Sequence, residues 1–174
     1  MNLLIVDDNP VNLRLLTVLC RQLQERPALE FLDPRAALAW CGLQEPDLVI
    51  VDFQMPEMDG ISFIRALRQP PTGGEVPILM ITANPELEVR YQALEAGAND
   101  FLTKPVERME FVARSRNMLA MRRGQRATAD RAAWLAKAVA DATATILQRT
   151  CCWSKTCRST SRWRPGCCSG WATA

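Results

Sequence analysis

Histidine is absent from all 174 residues of the chain. The chain therefore supplies no imidazole base, no histidine metal ligand and no phosphohistidine, which excludes any mechanism that needs one of these groups here. Long apolar runs are missing too, since the longest fall far short of the roughly 20 residues that a bilayer span needs. The start of the chain also lacks the basic segment and cleavage site of a signal peptide. We expect a cytoplasmic protein with no membrane partner.

Two glycine-rich phosphate-binding motifs are also missing. The sequence contains neither a G-x-x-x-x-G-K-S/T loop nor a G-x-G-x-x-G fingerprint. Both motifs let backbone N–H groups approach the phosphates of a nucleotide. Their absence argues against a nucleotide-binding or flavin-binding domain.

Charge and cysteine are distributed unevenly along the chain. Residues 1–105 carry 8 basic and 15 acidic side chains, whereas residues 106–174 carry 13 basic and 4 acidic ones. Cys20 and Cys41 lie among apolar residues and are predicted to be small buried hydrophobes, while the other five cysteines fall within residues 151–168. The two regions therefore have different characters.

Short apolar runs alternate with helical patterns along residues 1–105, as is typical of βαβ units and a parallel sheet. Continuous runs indicate central strands covered on both faces, and weaker runs indicate edge strands. The central strands are predicted at residues 3–6, 48–51 and 78–81, and the edge strands at residues 28–32 and 99–102. The intervening helices are predicted at residues 10–24, 34–43, 61–68 and 85–96.

Three of these helices begin with the same local chemistry. Asn9, Asp33 and Asn84 each precede a proline, which places an N-cap residue before proline at the first helical position. Gly97 supplies a stop for the fourth helix. With a last, extended helix from about residue 106, the pattern predicts an α/β fold with a five-stranded parallel, doubly wound sheet and five helices.

Polar side chains follow the strands at the edge of the sheet where ligands of such folds bind. They are Asp7, Asp8, Asp52, Thr82 and Lys104. Three carboxylates close together repel one another unless a divalent cation lies among them. Oxygen ligands without histidine or thiolate favour Mg²⁺, with Mn²⁺ as a substitute. Such a set suits phosphoryl transfer.

These residues resemble the receiver domain of two-component response regulators over residues 1 to about 120. The resemblance rests on five motifs in order: Asp7-Asp8, Val51-Asp52, Met55-Pro56 with Asp59-Gly60, Ile81-Thr82-Ala83, and Asp100-Phe101-Leu102-Thr103-Lys104-Pro105. It implies a flavodoxin-like sheet and a receiver domain over residues 1–121. It also implies a cis peptide between Lys104 and Pro105.

The resemblance assigns a role to each site residue. Asp52 would accept a phosphoryl group from a phosphohistidine on a histidine kinase or phosphotransfer protein. Asp8 and Asp52 would bind Mg²⁺ together with the backbone carbonyl of Gln54, and Asp7 would act through water. Lys104 would hold the phosphoryl oxygens.

The resemblance also implies a conformational switch. Thr82 would move toward the phosphoryl group, and Phe101 either turns inward in response or is simple core packing. The surface formed by the last strand and the last helices would bind partners or a second copy of the chain. Asp59-Gly60 is interpreted as a structural turn.

Residues 122–148 are predicted to form a helical linker that Gly124 interrupts. A seam with spacings of three and four residues runs through this segment, but few of its residues are large and apolar, so a coiled coil and a partly solvated helix both remain open. The stretch 129–149 resembles the connecting helix of response regulators that carry an HD-GYP-type cyclic-di-GMP phosphodiesterase domain.

Residues 149–174 contain five Cys, three Trp and five basic residues but no Asp, Glu, Val, Ile, Leu, Met or Phe. Without aliphatic residues the segment is predicted to be disordered, and its abrupt composition favours out-of-frame translation. An HD-GYP site needs histidines, so we expect no output enzyme. One alternative is a truncated HD-GYP-type regulator without a functional output. The other is a DNA-binding regulator, although too few apolar residues follow the receiver to build a recognition domain, so no nucleic-acid partner is expected.

Overall fold

The computed structural model describes residues 2–23, 27–69, 74–83 and 87–156, with side chains described up to residue 144. Strands and helices alternate along residues 3–103, and a long helix follows. The strands are β1 (Leu3–Val6), β2 (Leu29–Phe31), β3 (Leu48–Asp52), β4 (Ile78–Thr82) and β5 (Asp100–Thr103). The helices are α1 (Pro10–Cys20), α2 (Pro34–Cys41), α3 (Gly60–Arg68), α4 (Leu87–Ala96) and α5 (Arg108–Thr156).

All strand pairs are parallel, in the order β2-β1-β3-β4-β5. The predicted central strands β1, β3 and β4 are buried throughout, and the predicted edge strands β2 and β5 lie at the two edges. Alternate residues of the central strands face opposite sides of the sheet, as a pleated strand requires. The predicted doubly wound α/β fold is confirmed.

Two apolar layers hold the helices to the sheet. Leu4, Val6 and Met80 belong to the layer that packs against α2, α3 and α4. Leu3 and Ile5 belong to the opposite layer, which packs against α1 and α5. Each buried aliphatic side chain contributes about 1.5–3 kcal/mol when it leaves water.

The helix ends follow from local hydrogen bonds. The N-cap side chains of Asn9 and Asp33 accept hydrogen bonds from Val11 N and Arg35 N, as expected for N-caps. Gly97 has a φ of 104°, which suits its predicted role as the stop after α4. Residues 84–86, where a third N-cap was predicted, lie outside the described residues.

The prediction that α1 runs to residue 24 was wrong, because the helix ends at Cys20. Gln22 N and Leu23 N donate to the carbonyls of Leu19 and Cys20, so tight turns with i→i+3 bonds replace the last helical turn. The helix α2 likewise ends at Cys41, two residues before the predicted end.

The two described cysteines have buried thiols. Cys20 is 1% exposed and Cys41 is 6% exposed, as predicted for small core residues. Burial raises the pKa of the Cys20 thiol to about 12 and the pKa of the Cys41 thiol to about 11. Both thiols are therefore protonated and poorly nucleophilic near neutral pH.

The chain divides into a compact unit, Met1–Arg126, and a second unit, Ala127–Ala174. Within the first unit, Arg122 pairs with Glu45, and Arg126 pairs with Glu45 and Asp47. Asp47 directly precedes β3 and also accepts a hydrogen bond of 2.6 Å from Asn2 N. These ion pairs attach the part of α5 near Arg126 to the start of the sheet.

In the second unit, the described backbone is helical from Ala127 to Thr156. Trp134, Leu135 and Val139 are exposed on it. The helix passes through Gly124, which was predicted to interrupt it, and continues into the first eight residues of the segment predicted to be disordered. Residues 157–174 lie outside the described residues. No described helix is long and apolar enough to cross a membrane.

Candidate functional site

Three carboxylates meet at the carboxyl ends of β1 and β3. Asp7 follows β1 and Asp52 ends β3, and the two strands are paired with Val6 beside Val51. This register makes Asp7 and Asp52 neighbours, both buried, while Asp8 is exposed. One oxygen from each of the three carboxylates lies within 4.8 Å of the others. The predicted cluster is therefore formed.

The first turn of α1 holds the Asp7 carboxylate in place. Its Oδ1 atom accepts hydrogen bonds from Asn9 N at 2.8 Å and from Asn12 Nδ2 at 3.1 Å. Its Oδ2 atom is buried, accepts no hydrogen bond in the described part of the chain, and lies 3.7 Å from Lys104 Nζ. One oxygen is thus fixed and the other is available to a cation.

The Asp52 carboxylate is paired with an ammonium group. Lys104 Nζ lies 2.6 Å from Asp52 Oδ1, and the Gln54 backbone N–H also donates to this carboxylate. Burial raises the pKa of the Asp52 carboxyl, and the Asp7 charge raises it further, whereas Lys104 and Gln54 lower it. A cation beside these carboxylates would stabilise their charged forms.

Thr82 and Lys104 come from neighbouring strands. Thr82 ends β4 and is fully buried, and Lys104 directly follows β5. Lys104 N donates a hydrogen bond of 2.8 Å to Thr82 O, which fixes the two residues beside each other. The predicted cis peptide between Lys104 and Pro105 is confirmed.

The donor set fits a magnesium ion. It offers three carboxylates, one of them with a buried oxygen that lacks a hydrogen bond, and no nitrogen or sulfur ligand. Mg²⁺ prefers oxygen ligands and usually keeps several waters, for which the exposed Asp8 leaves room. Gln54 lies two residues beyond Asp52 in the loop after β3, with an exposed side chain.

Phe101 lies on β5, half-buried, and packs against the layer under α4. The guanidinium carbon of Arg90 in α4 lies 4.7 Å from the centre of its ring. Sequence reasoning identified Phe101 but missed Arg90, because nothing in the sequence pairs a helix residue with a strand residue eleven positions away. Sequence reasoning also missed Asn12, which donates to Asp7. The position of Asn12 in the first turn of the helix that follows Asp7 could have indicated this contact.

Gly60 packs closely against the backbone of Asp52 and Phe53. A Cβ atom at Gly60 would lie 2.5 Å from Asp52 O and 2.9 Å from Phe53 Cα, both of them backbone atoms. Asp59 caps α3 by accepting a hydrogen bond of 2.7 Å from Ser62 N. The interpretation of Asp59-Gly60 as a structural turn therefore accounts for Asp59, which caps α3. Gly60 has a second role, because it permits the close approach of the backbone at Asp52.

The Gly60→Ala variant is expected to lose about 1–3 kcal/mol of unfolding free energy, because the new methyl group meets backbone that cannot move without shifting Asp52. Urea denaturation followed by circular dichroism measures this loss. Gly124→Ala is the matched control, because an added Cβ at Gly124 in α5 meets nothing within 4 Å beyond its adjacent residues and its own helix backbone, so this variant should be neutral or stabilised. Equal effects of the two substitutions would contradict the close-packing argument.

Comparisons with known proteins agree with this geometry. The family model "Response regulator receiver domain" matches residues 3–116, about two thirds of the chain. The chain belongs to this family. It is a receiver of two-component signalling.

Two curated relatives of this receiver are longer than this chain. The Cyclic di-GMP phosphodiesterase response regulator RpfG of Xanthomonas campestris pv. campestris (strain 8004) is 38% identical over 133 residues, which are 76% of this chain and 35% of RpfG. The Response regulator PleD of Caulobacter vibrioides is 38% identical over 117 residues, which are 67% of this chain and 25% of PleD. The chain thus spans between a quarter and about a third of these relatives, and the similarity to RpfG agrees with the HD-GYP-type resemblance of the linker.

Solved structures of receivers are similar to the structure of this chain. A putative response regulator from Chloroflexus aurantiacus J-10-fl has a TM-score of 0.64 at 35% identity, covering 68% of this chain and 97% of the other. The receiver domain of the sensor histidine kinase PA1611 from Pseudomonas aeruginosa PAO1 has a TM-score of 0.62 at 32% identity, covering 68% and 97%. That structure has a magnesium ion coordinated in its active-site cleft.

Proposed function

We propose that Asp52 is the phosphoacceptor of this receiver. The observation that carries the proposal is the contact of 2.6 Å between Lys104 Nζ and a buried Asp52 oxygen, beside two further carboxylates. An Asp52 oxygen attacks the phosphorus of a phosphohistidine, the P–N bond breaks, and the imidazole leaves with a proton from solvent. Because these 174 residues contain no histidine, the phosphohistidine lies outside them, on a histidine kinase or phosphotransfer protein.

We assign the magnesium site to Asp7, Asp8, Asp52 and the backbone carbonyl of Gln54. When bound, Mg²⁺, or Mn²⁺ in its place, neutralises the charge of the carboxylates and of the incoming phosphoryl oxygens. The Asn9 and Asn12 donors orient Asp7 so that its Oδ2 atom remains free for the ion or its water.

Lys104 and Thr82 are assigned to the phosphoryl group itself. Lys104 pairs with the Asp52 carboxylate before the reaction and would hold a phosphoryl oxygen after it. The Thr82 hydroxyl would donate to another phosphoryl oxygen, and Phe101 would follow the movement of Thr82. The added charge thereby changes the surface of α4 and β5.

The test is to incubate the purified full chain with acetyl phosphate and Mg²⁺ and to measure its intact mass. We expect the mass of one phosphoryl group to be gained, and borohydride reduction followed by peptide mapping to place it on Asp52. Modification at another residue, or none with Mg²⁺ present, would overturn the proposal.

We further propose that the face formed by α4, β5 and α5 binds a second copy of the chain. Leu87, Tyr91 and Leu94 lie one helical turn apart on α4 and are exposed. Arg114, with its partners Asp100 and Glu110, places both signs of charge on β5 and α5, which suits a self-complementary contact.

Beryllofluoride with Mg²⁺ mimics the phosphoryl group, and we expect it to increase the sedimentation coefficient of the unmodified chain. The Tyr91→Lys variant places a charge in the contact, so its dimer dissociation constant should be at least about tenfold higher. Leu43→Lys is the matched control, because Leu43 is 86% exposed outside this face. Sedimentation that is unaffected by beryllofluoride, or affected equally by both variants, would contradict the dimer.

For the whole chain we propose a receiver over residues 1–121, a helical linker over residues 122–148 and no output enzyme in residues 149–174. The similarity to RpfG favours an origin among HD-GYP-type regulators over a DNA-binding regulator. The net charge of −7 over residues 1–105 also disfavours a nucleic-acid partner for this region. A cytoplasmic location follows from the proposed kinase partner.

A further inference from the structure

The ring of Phe101 in β5 is in contact with a cation from α4. Phe101 is in β5, and the guanidinium carbon of Arg90 in α4 lies 4.7 Å from the ring centre. A cation within about 6 Å of an aromatic ring centre is attracted by the negative charge of the ring face. This contact joins α4 to β5.

Phe101 shares its side of the sheet with Thr82. Met80 is the register partner of Phe101, and Thr82 is the register partner of Thr103. Since alternate residues of a strand face the same side, Phe101 and Thr82 both lie on the side that α4 covers. The two side chains therefore lie on one face of two neighbouring strands, two residues apart in the register.

The Arg90 side chain is partly buried. Its Nε atom is buried and makes no hydrogen bond in the described part of the chain. Phe101 has no hydroxyl with which to form a hydrogen bond of its own. The position of the ring therefore depends on apolar packing and on Arg90.

We propose that Arg90 is a positioning residue that holds the Phe101 ring in its present place and thereby links α4 to the phosphoryl site. The inference rests on the proposed role of Asp52. In the unphosphorylated receiver the contact favours the half-buried ring. A ring that turns inward must leave Arg90, so phosphorylation works against this contact and frees α4 to move.

The test is a double-mutant cycle on the full chain, with Mg²⁺ and beryllofluoride as the probe and ¹⁹F NMR as the measure of its dissociation constant. Arg90→Met keeps a linear side chain but removes the charge, and it should tighten binding about fivefold, the size expected for loss of one such contact. Arg90→Lys keeps a cation and should stay within about twofold of the unmodified chain. In a Phe101→Leu background, Arg90→Met should have no further effect.

A second ¹⁹F NMR measurement detects the contact between Arg90 and the Phe101 ring in the absence of beryllofluoride. With 4-fluorophenylalanine at the five phenylalanine positions, the Phe101 resonance is assigned by its absence in Phe101→Leu. Arg90→Met should shift that resonance, and Arg90→Lys should restore it in part.

The outcomes separate the two proposals. If the unmodified chain fails to bind beryllofluoride, the proposed role of Asp52 is overturned and this inference falls with it. If the chain binds but Arg90→Met changes affinity less than twofold, or equally in the Phe101→Leu background, the positioning role of Arg90 alone is overturned.

Discussion

The Asp52→Asn variant is expected to lose phosphate incorporation from acetyl phosphate, falling below about one hundredth of the unmodified rate. The amide has nearly the same shape as the carboxylate, but it carries no negative charge and is a poor nucleophile. It also loses the ion pair of 2.6 Å with Lys104. Intact-mass spectrometry over time in the presence of Mg²⁺ measures the rate.

The matched control for this experiment is Asp59→Asn. Asp59 is an exposed carboxylate that caps α3, and asparagine caps a helix equally well. We expect its phosphorylation rate to equal that of the unmodified chain. Comparable incorporation by Asp52→Asn, with circular dichroism showing an intact fold, would remove Asp52 as the acceptor.

The Asp8→Asn variant is expected to bind Mg²⁺ about 10–100-fold more weakly, because metal affinity falls with the number of charged oxygen ligands. Asp8 is exposed, so its loss should leave the core intact while removing one of three charges around the ion. Isothermal titration calorimetry with Mg²⁺, or Mn²⁺ titration followed by electron paramagnetic resonance, gives the affinity.

Asp33→Asn is the control for the metal experiment. Asp33 is also an exposed aspartate that follows a strand and precedes a helix, and asparagine would preserve its cap on α2. Its Mg²⁺ affinity should be unchanged. Equal affinities for Asp8→Asn and the unmodified chain would exclude Asp8 from the metal site.

The sequence predicted a strand or a helix start correctly wherever a few neighbouring residues determine it. The continuous apolar runs of β1, β3 and β4 predict fully buried central strands, and the caps at Asn9 and Asp33 predict where two helices begin. The end of α1 was placed too late, because residues 21–23 are compatible with a helix and only the path toward β2 requires a turn there.

The site was predictable because parallel strands bring their carboxyl ends to one edge. Position along the chain was therefore sufficient to bring together Asp7, Asp52 and Lys104. The contacts that depend on side-chain direction were not predictable. The contact between Phe101 and Arg90 depends on how α4 packs against β5. The close approach of Gly60 to the Asp52 backbone depends on the path of the loop after β3.

The ion pair between Asp47 and Arg126 places the end of the compact unit at the start of β3. Asp47 holds Arg126, the last residue of the compact unit, and the strand that starts beside it ends at Asp52. The two aspartates are five residues apart, about 17 Å along an extended strand. Because β3 pairs with β1 on one side and β4 on the other, ladder hydrogen bonds on both sides fix the separation between the end of the compact unit and the acidic cluster.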